Sequence, residues 1–247
     1  MRTVIPSVNP IVYLYLLAFL FVRCQSPVKE HNASVKFSGA LKNIMMKGDL
    51  SAKADLHDYA QTPHLYGLGA VEDLKGEITI INGAFYISSV VDSSVMLSQT
   101  TDANAALFVY SSVKRWKTVS VPQTVTTSEQ LETFIAEQAE LANIHPDTAF
   151  PFMLEGAVNE AKWHVIDWPE GDTHHTHEKH KKSGLSGILS NTVVKIIGFY
   201  SRHHHAIFTH HSTNMHMHVV NKGKTLAGHL DRIVLGKNML LKLPVLE

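Results

Sequence analysis

Met215-His216-Met217-His218-Val219-Val220, then Asn221-Lys222-Gly223-Lys224, then Thr225-Leu226-Ala227-Gly228-His229, is the stretch of this 247-residue chain whose reading decides the fold. Apolar and polar side chains alternate with a period of two, the mark of a strand. Successive strand residues point to opposite faces, so His216 and His218 share one face while Met215, Met217 and Val219 share the other. Asn-Lys-Gly-Lys is turn chemistry. If the loop centred there holds two residues, 222–223, or four, 221–224, paired positions sum to 445 and His229 lies directly across from His216. A three-residue loop would spoil that register. Three imidazoles on one face, with a fourth position open, is the donor set of a catalytic rather than a closed structural zinc site. The same donors also suit iron, manganese, nickel or copper.

Working outward, Glu77–Ile81 and Ala84–Val90 flank Asn82-Gly83 and read as a tight hairpin. Ala105–Tyr110 and Arg115–Val121 follow as strands. Thr127 and Gln130 have capping-box spacing ahead of Leu131, Phe134, Ile135 and Ala139, which recur at helical intervals and predict one main helix. Phe150–Val158 and Ala161–Ile166 read as a pair of apolar segments, and Pro169–Gly187 as a loop. Val193–Tyr200, Ala206–His211, Met215–Val220, Thr225–Leu235 and Met239–Leu243 complete the strands. The class is α+β, β-dominated, with antiparallel connections.

Lys plus Arg equals Asp plus Glu at 22 each and hydrophobic residues make up 45%, which argues against a nucleic-acid stripe, a disordered tail or a membrane bundle. Small molecules are the expected partners, and a homodimer is among the assemblies the sequence allows. Histidine is the outlier: 12 of the 17 fall between His174 and His229. His174, His175, His177 and His180 lie with Asp172 and Glu178 in the long loop, as a second metal site, a pH-sensitive lid or a solvated segment. His203, His204, His205, His210 and His211 flank the short apolar segment and are candidates for a pocket mouth.

Residues 1–24 carry Arg2 and an apolar run from Ile11 to Val22, the pattern of an export signal. That places the protein in the periplasm or cell envelope. Cys24, the single cysteine, follows the run directly and is a candidate for lipid attachment and a membrane tether. Arg23 before it fits that reading poorly, so plain cleavage and a retained anchor stay open.

Tyr66-Gly-Leu-Gly-Ala-Val-Glu-Asp-Leu-Lys-Gly-Glu77, running into Ile78–Gly83, resembles the signature of the acetolactate decarboxylases. Phe150-Pro-Phe-Met-Leu-Glu-Gly156, Gly198-Phe199, His216-Met-His218 and Gly228-His229 follow in the family's order, so the resemblance covers nearly all of residues 25–247. It implies one catalytic domain of two closely packed β-rich lobes, about 35–166 and 188–247. By the same resemblance His216, His218 and His229 are zinc ligands, and Glu77 is an active-site glutamate near the metal. The implied reaction is decarboxylation of 2-acetolactate to acetoin and carbon dioxide, with the metal as a Lewis acid stabilising an enediolate.

Two positions depart from the family. His164 stands where it has an arginine that handles charge and protons, and Ala70 where it has a threonine. The acidic residue of the family's C-terminal extension has no counterpart before the chain ends at Glu247. His164 is therefore the second candidate catalytic residue. Two other classes compete. A zinc hydrolase would use the same three histidines and a glutamate to activate water, and a non-catalytic envelope metal-binding protein would work through the loop histidines.

Overall fold

A computed structural model describes residues 1, 3 and 33–246. The export-signal reading, apart from residues 1 and 3, and also Cys24 and Glu247, lie outside the described residues. The chain is β-dominated, as its alternation predicts, and its strands form two antiparallel sheets. The first runs in the order β1 (Lys36–Ser38), β7 (Asn104–Ser112), β3 (Leu65–Val71), β4 (Glu77–Ile81), β5 (Ala84–Val91), β6 (Ser94–Ser98), with β2 (Ala54–Asp55) beside β7. Asn82 and Gly83 have φ of 50° and 77°, the two positive values that a tight turn of matching twist needs between β4 and β5.

The second sheet runs β10 (Leu185–Tyr200), β11 (Met215–Asn221), β12 (Ala227–Leu235), β9 (Phe150–Val165), β13 (Leu240–Pro244), β8 (Trp116–Ser120). β9 also pairs with β10 along its whole length, so β9, β10, β11 and β12 close into a ring. Helix α2 (Ser128–Leu141) lies on one face of this sheet. Its Leu131, Phe134, Ile135 and Ala139 share a buried cluster with Met215, Met217 and Val219. The opposite face meets the first sheet, where Tyr66, Leu68 and Val109 pack against Met153, Ile197 and Phe199. Ser88 of β5 donates to the Ala227 carbonyl of β12 at 2.7 Å and ties the two sheets together. Covered on both faces, β11 is buried from Met215 to Val220.

Four expectations are corrected. The two apolar segments at 150–166 are one 16-residue strand, because Glu160 in the polar middle still pairs with Ser190 and Val234. The loop at 169–187 holds a short helix, α3 (His177–Lys182), and the start of β10, which follows β9 outward as far as pairing allows. No strand forms at 206–211. There the backbone turns on itself, with Ile207, Phe208 and Thr209 all donating to the His204 carbonyl, and only a bridge between His205 and Thr209 remains. The change of sheet falls between Ser112 and Trp116 rather than near residue 166, since β8 and β9 pair with β13, β10 and β12. The short helix α1 (Leu41–Lys47) lies between β1 and β2.

The capping box forms as read. The Thr127 hydroxyl accepts from the Gln130 amide, and the Gln130 side chain accepts from the Thr127 amide at 3.1 Å. Thr127→Ala is expected to lower stability by about 1 kcal/mol, seen as a lower urea midpoint at unchanged slope. An unchanged midpoint would show that packing alone holds α2.

Candidate metal centre

β11 and β12 present the three histidines, but in a register two residues away from the expected one. The Asn221 amide donates to the Leu226 carbonyl across a four-residue loop at 222–225, and His218, not His216, stands opposite His229. A slip of two leaves every side chain on its face, so the three rings still converge. Their candidate ligand nitrogens lie within 4.8 Å of one another. Gly228 permits the approach of β12 to β9. A side chain there would meet the His164 carbonyl at 2.7 Å, and the close backbones make His229 and His164 a direct cross-strand pair.

Each imidazole is oriented by a neighbour. The His216 Nδ1 donates to the Phe208 carbonyl at 2.8 Å, which leaves Nε2 as an acceptor lying 3.2 Å from His229 Nδ1. The Thr79 hydroxyl holds His218 Nδ1 at 3.1 Å, so His218 Nε2 turns inward, where it is buried with no hydrogen-bond partner. An orphaned buried nitrogen aimed at two further ring nitrogens is what a bound cation would satisfy, and the donor set fits a divalent transition metal. Burial pushes His216 down to about 4 despite the Phe208 carbonyl, and drives His218 and His229 well below the ordinary histidine value. All three are therefore neutral at pH 7, the protonation state that binds metal.

Glu77 lies beside them, with Oε2 3.6 Å from His218 Nε2. Burial raises its carboxyl well above the usual range, the negative Asp231 adds to the rise, and the Ile166 amide at 3.4 Å offsets part of it. His164 Nε2 is 3.8 Å from Glu77 Oε1, and its Nδ1 donates to Asp231 Oδ2 at 3.0 Å. Asp231 is the residue the sequence reading missed. Burial pushes its carboxyl up, but the His164 hydrogen bond and Lys181, 3.4 Å from Oδ1, outweigh that and hold it below the usual range. A signal existed: Asp231 is two residues beyond His229, as Thr79 is beyond Glu77, and strand alternation puts each pair on one side.

Glu77, His164, Lys181, His216 and His229 border a cavity of about 540 Å³ that His210, His211 and Ala70 also line. Ala70 is paired directly with Glu77 across β3 and β4. Of the loop histidines, His180 also lines this cavity. The His175 and His180 rings pack against Trp168 with centroids at 4.5 and 4.6 Å, and Asp172 is paired with Lys179. His203 bonds Asp147, His204 bonds Ser201 and His205 bonds Asn214. Among the described residues, the groups able to hold a metal are the His216, His218 and His229 set and a second set of His164, His229 and Asp231.

Residues 37–246 match the family described as alpha-acetolactate decarboxylase. The crystal structure of alpha-acetolactate decarboxylase from Bacillus subtilis strain 168 aligns with a TM-score of 0.69 at 15% identity, over 85% of this chain and 86% of that one. Acetolactate decarboxylase from Bacillus subtilis subspecies spizizenii aligns at 0.69 and 16%, over 87% of each chain. A Staphylococcus aureus protein of unknown function, described as similar to alpha-acetolactate decarboxylase, aligns at 0.69 and 13%, over 85% of this chain and 84% of that one. At such identities the likeness is one of fold. No curated protein matches the sequence.

Chelator-treated protein is expected to take up one zinc ion per chain. His218→Ala should abolish that uptake, and Thr79→Val should weaken it by about 10–100-fold, both measured by calorimetric titration. Several ions per chain, indifferent to His218→Ala, would instead assign metal binding to the loop histidines. In the metal-free protein, a pH between about 4 and the ordinary 6.5 protonates an unfolded His216 but not the folded one. Stability therefore falls as the pH drops through that window, by about 3 kcal/mol from His216 alone. His218 and His229 act in the same direction. A urea midpoint that rose on acidification would overturn this.

Proposed function

The chain belongs to the alpha-acetolactate decarboxylase family, and from that premise we propose that it is an exported carbon–carbon lyase. In this reading it converts 2-acetolactate, or a close 2-hydroxy-3-oxo acid, to acetoin and carbon dioxide. The observation that carries the reading is the convergence of three neutral, buried imidazoles beside a buried Glu77, two of them, His216 and His229, opening with Glu77 onto one cavity. His216, His218 and His229 would hold a divalent ion, zinc being the expected one. When bound, it would supply Lewis acidity for the negative charge that develops on the substrate oxygens as carbon dioxide leaves.

The chain's own residues account for the proton. Loss of carbon dioxide breaks one carbon–carbon bond, and its electron pair passes toward the neighbouring carbonyl oxygen. The carbon left behind must then gain one proton. Glu77, whose carboxyl burial pushes well above the usual range, is the donor at hand. The Glu77 carboxylate that results is restored by a proton from solvent, and His164, with Nε2 facing it, is placed to pass that proton on. Asp231 stays ionised and fixes the ring of His164. Two carboxyl groups whose surroundings push them in opposite directions thus divide the labour, one as acid and one as orienting anion.

Release of carbon dioxide and acetoin from racemic 2-acetolactate is expected to exceed the spontaneous rate and to disappear with chelator or in His216→Ala. Glu77→Gln should lower kcat by about 10²–10⁴-fold. Asp231→Asn should lower kcat by about 10–100-fold with KM little changed. Zinc-loaded protein with no activity above the spontaneous rate would sink the assignment for this substrate. An Asp231→Asn variant that altered only KM would place that residue in substrate binding.

A further inference from the structure

The cavity that holds the reaction site has a second wall with no polar business in the chemistry. Beside Glu77 and the histidines it is lined by Leu41, Ile44 and Met45 of α1, together with Leu74, Leu107 and Ile166, whose amide lies 3.4 Å from Glu77 Oε1. Ile44, Leu74, Leu107 and Ile166 belong to one buried cluster with Trp168, and Leu41 and Ala70 pack against it, so this wall is braced from behind. Ala70 continues the apolar surface to the edge of Glu77, its partner across the strand pair. The volume of about 540 Å³ lies in the range of about 300–1,000 Å³ that accommodates ligands of drug size. To this wall 2-acetolactate presents only methyl groups, and most of the apolar surface would be left facing water.

We propose that the preferred substrates are 2-hydroxy-3-oxo acids bearing an apolar chain longer than methyl, with that chain lying against α1. The inference rests on the decarboxylase reading of the same site and adds the substrate class to it. The polar head of the substrate, which carries the carboxylate, hydroxyl and carbonyl oxygens, is confined to the side of the histidines and Glu77. The chain then extends along Leu41, Met45 and Ile166. Met45 is unbranched and adapts its shape, so the wall accepts chains of differing form rather than one rigid group. Every added methylene removes apolar surface from water on both partners, which should raise kcat/KM by about fourfold until the chamber is filled.

The test uses the metal-loaded full chain in two parallel measurements. The first is kcat/KM for carbon dioxide release from racemic 2-acetyl-2-hydroxy acids whose substituent is methyl, ethyl or butyl. The second is calorimetric affinity for saturated 2-alkyl-2-hydroxy acids of the same lengths, which lack the 3-oxo group and cannot react. Both should climb with chain length, by about tenfold or more from methyl to butyl. Met45→Trp, which fills the chamber, should cut the butyl-to-methyl ratio by about tenfold, and a ratio is insensitive to how much of the variant folds. A ratio at or below one, or one that Met45→Trp leaves unmoved, overturns the proposal. Flat affinities together with acetoin formation would overturn it while leaving the decarboxylase reading intact. Affinities that climb while no homologue loses carbon dioxide would retain the apolar chamber and overturn the decarboxylase reading.

Discussion

Three imidazoles set with their nitrogens toward one another in the interior between two sheets can remain there only if none carries a proton too many. Burying one isolated positive ring is costly, and burying three within a few ångströms of each other is prohibitive without an anion for each. The Phe208 carbonyl and the Thr79 hydroxyl resolve this by taking one nitrogen of His216 and of His218 and leaving the other turned inward. Those two partners come from different places. Phe208 sits in the turning segment after β10, and Thr79 belongs to the opposite sheet, so the centre exists only when the sheets are packed together. Metal affinity and folding are thus linked, because the unfolded chain presents no such arrangement.

The same packing separates the two carboxyl groups. Glu77, at the start of β4, is enclosed between the sheets and accepts from the Ile166 amide at 3.4 Å, with the His218 and His164 rings beyond it at 3.6 and 3.8 Å. Asp231, at an irregular point in β12 between Leu230 and Arg232, is turned toward His164 and Lys181. Identical chemistry therefore yields a neutral acid in one place and an anion in the other. Lys181 arrives on α3, the short helix between β9 and β10, so a segment that reads as plain loop contributes charge to the site. Apolar lining beside these groups comes from α1 and from Leu74, Leu107 and Ile166, which gives the cavity a surface for shape next to its reacting groups.

Strand alternation determined much of this from the sequence. The i, i+2 spacing of His216 and His218 places them on one face whatever the strand pairs with, and the apolar residues between them go to the α2 side. The positive φ demanded at Asn82 and Gly83, and the reciprocal cap of Thr127 and Gln130, are likewise local and were legible as such. The partner of His229 was not. Whether a loop begins at Asn221 or Lys222 is settled by a balance of turn geometry and sheet packing that local residues do not fix, and the register moved by two. The convergence survived because parity, not register, decides the face.

Only the tertiary structure decided that residues 206–211 turn rather than extend, since that choice delivers the Phe208 carbonyl to His216. It also decided that β9 runs unbroken across Asn159 and Glu160, because strands on both sides supply the hydrogen bonds that a polar interruption would otherwise lose. Asp231, Thr79 and Lys181 lie 67, 139 and 50 positions from the residues they hold. No local pattern encodes separations of that size. The sequence by itself determined which side chains face inward, because alternation is a property of a single strand. Which of them meet, and in what state of protonation, depended on two sheets closing over them and excluding water.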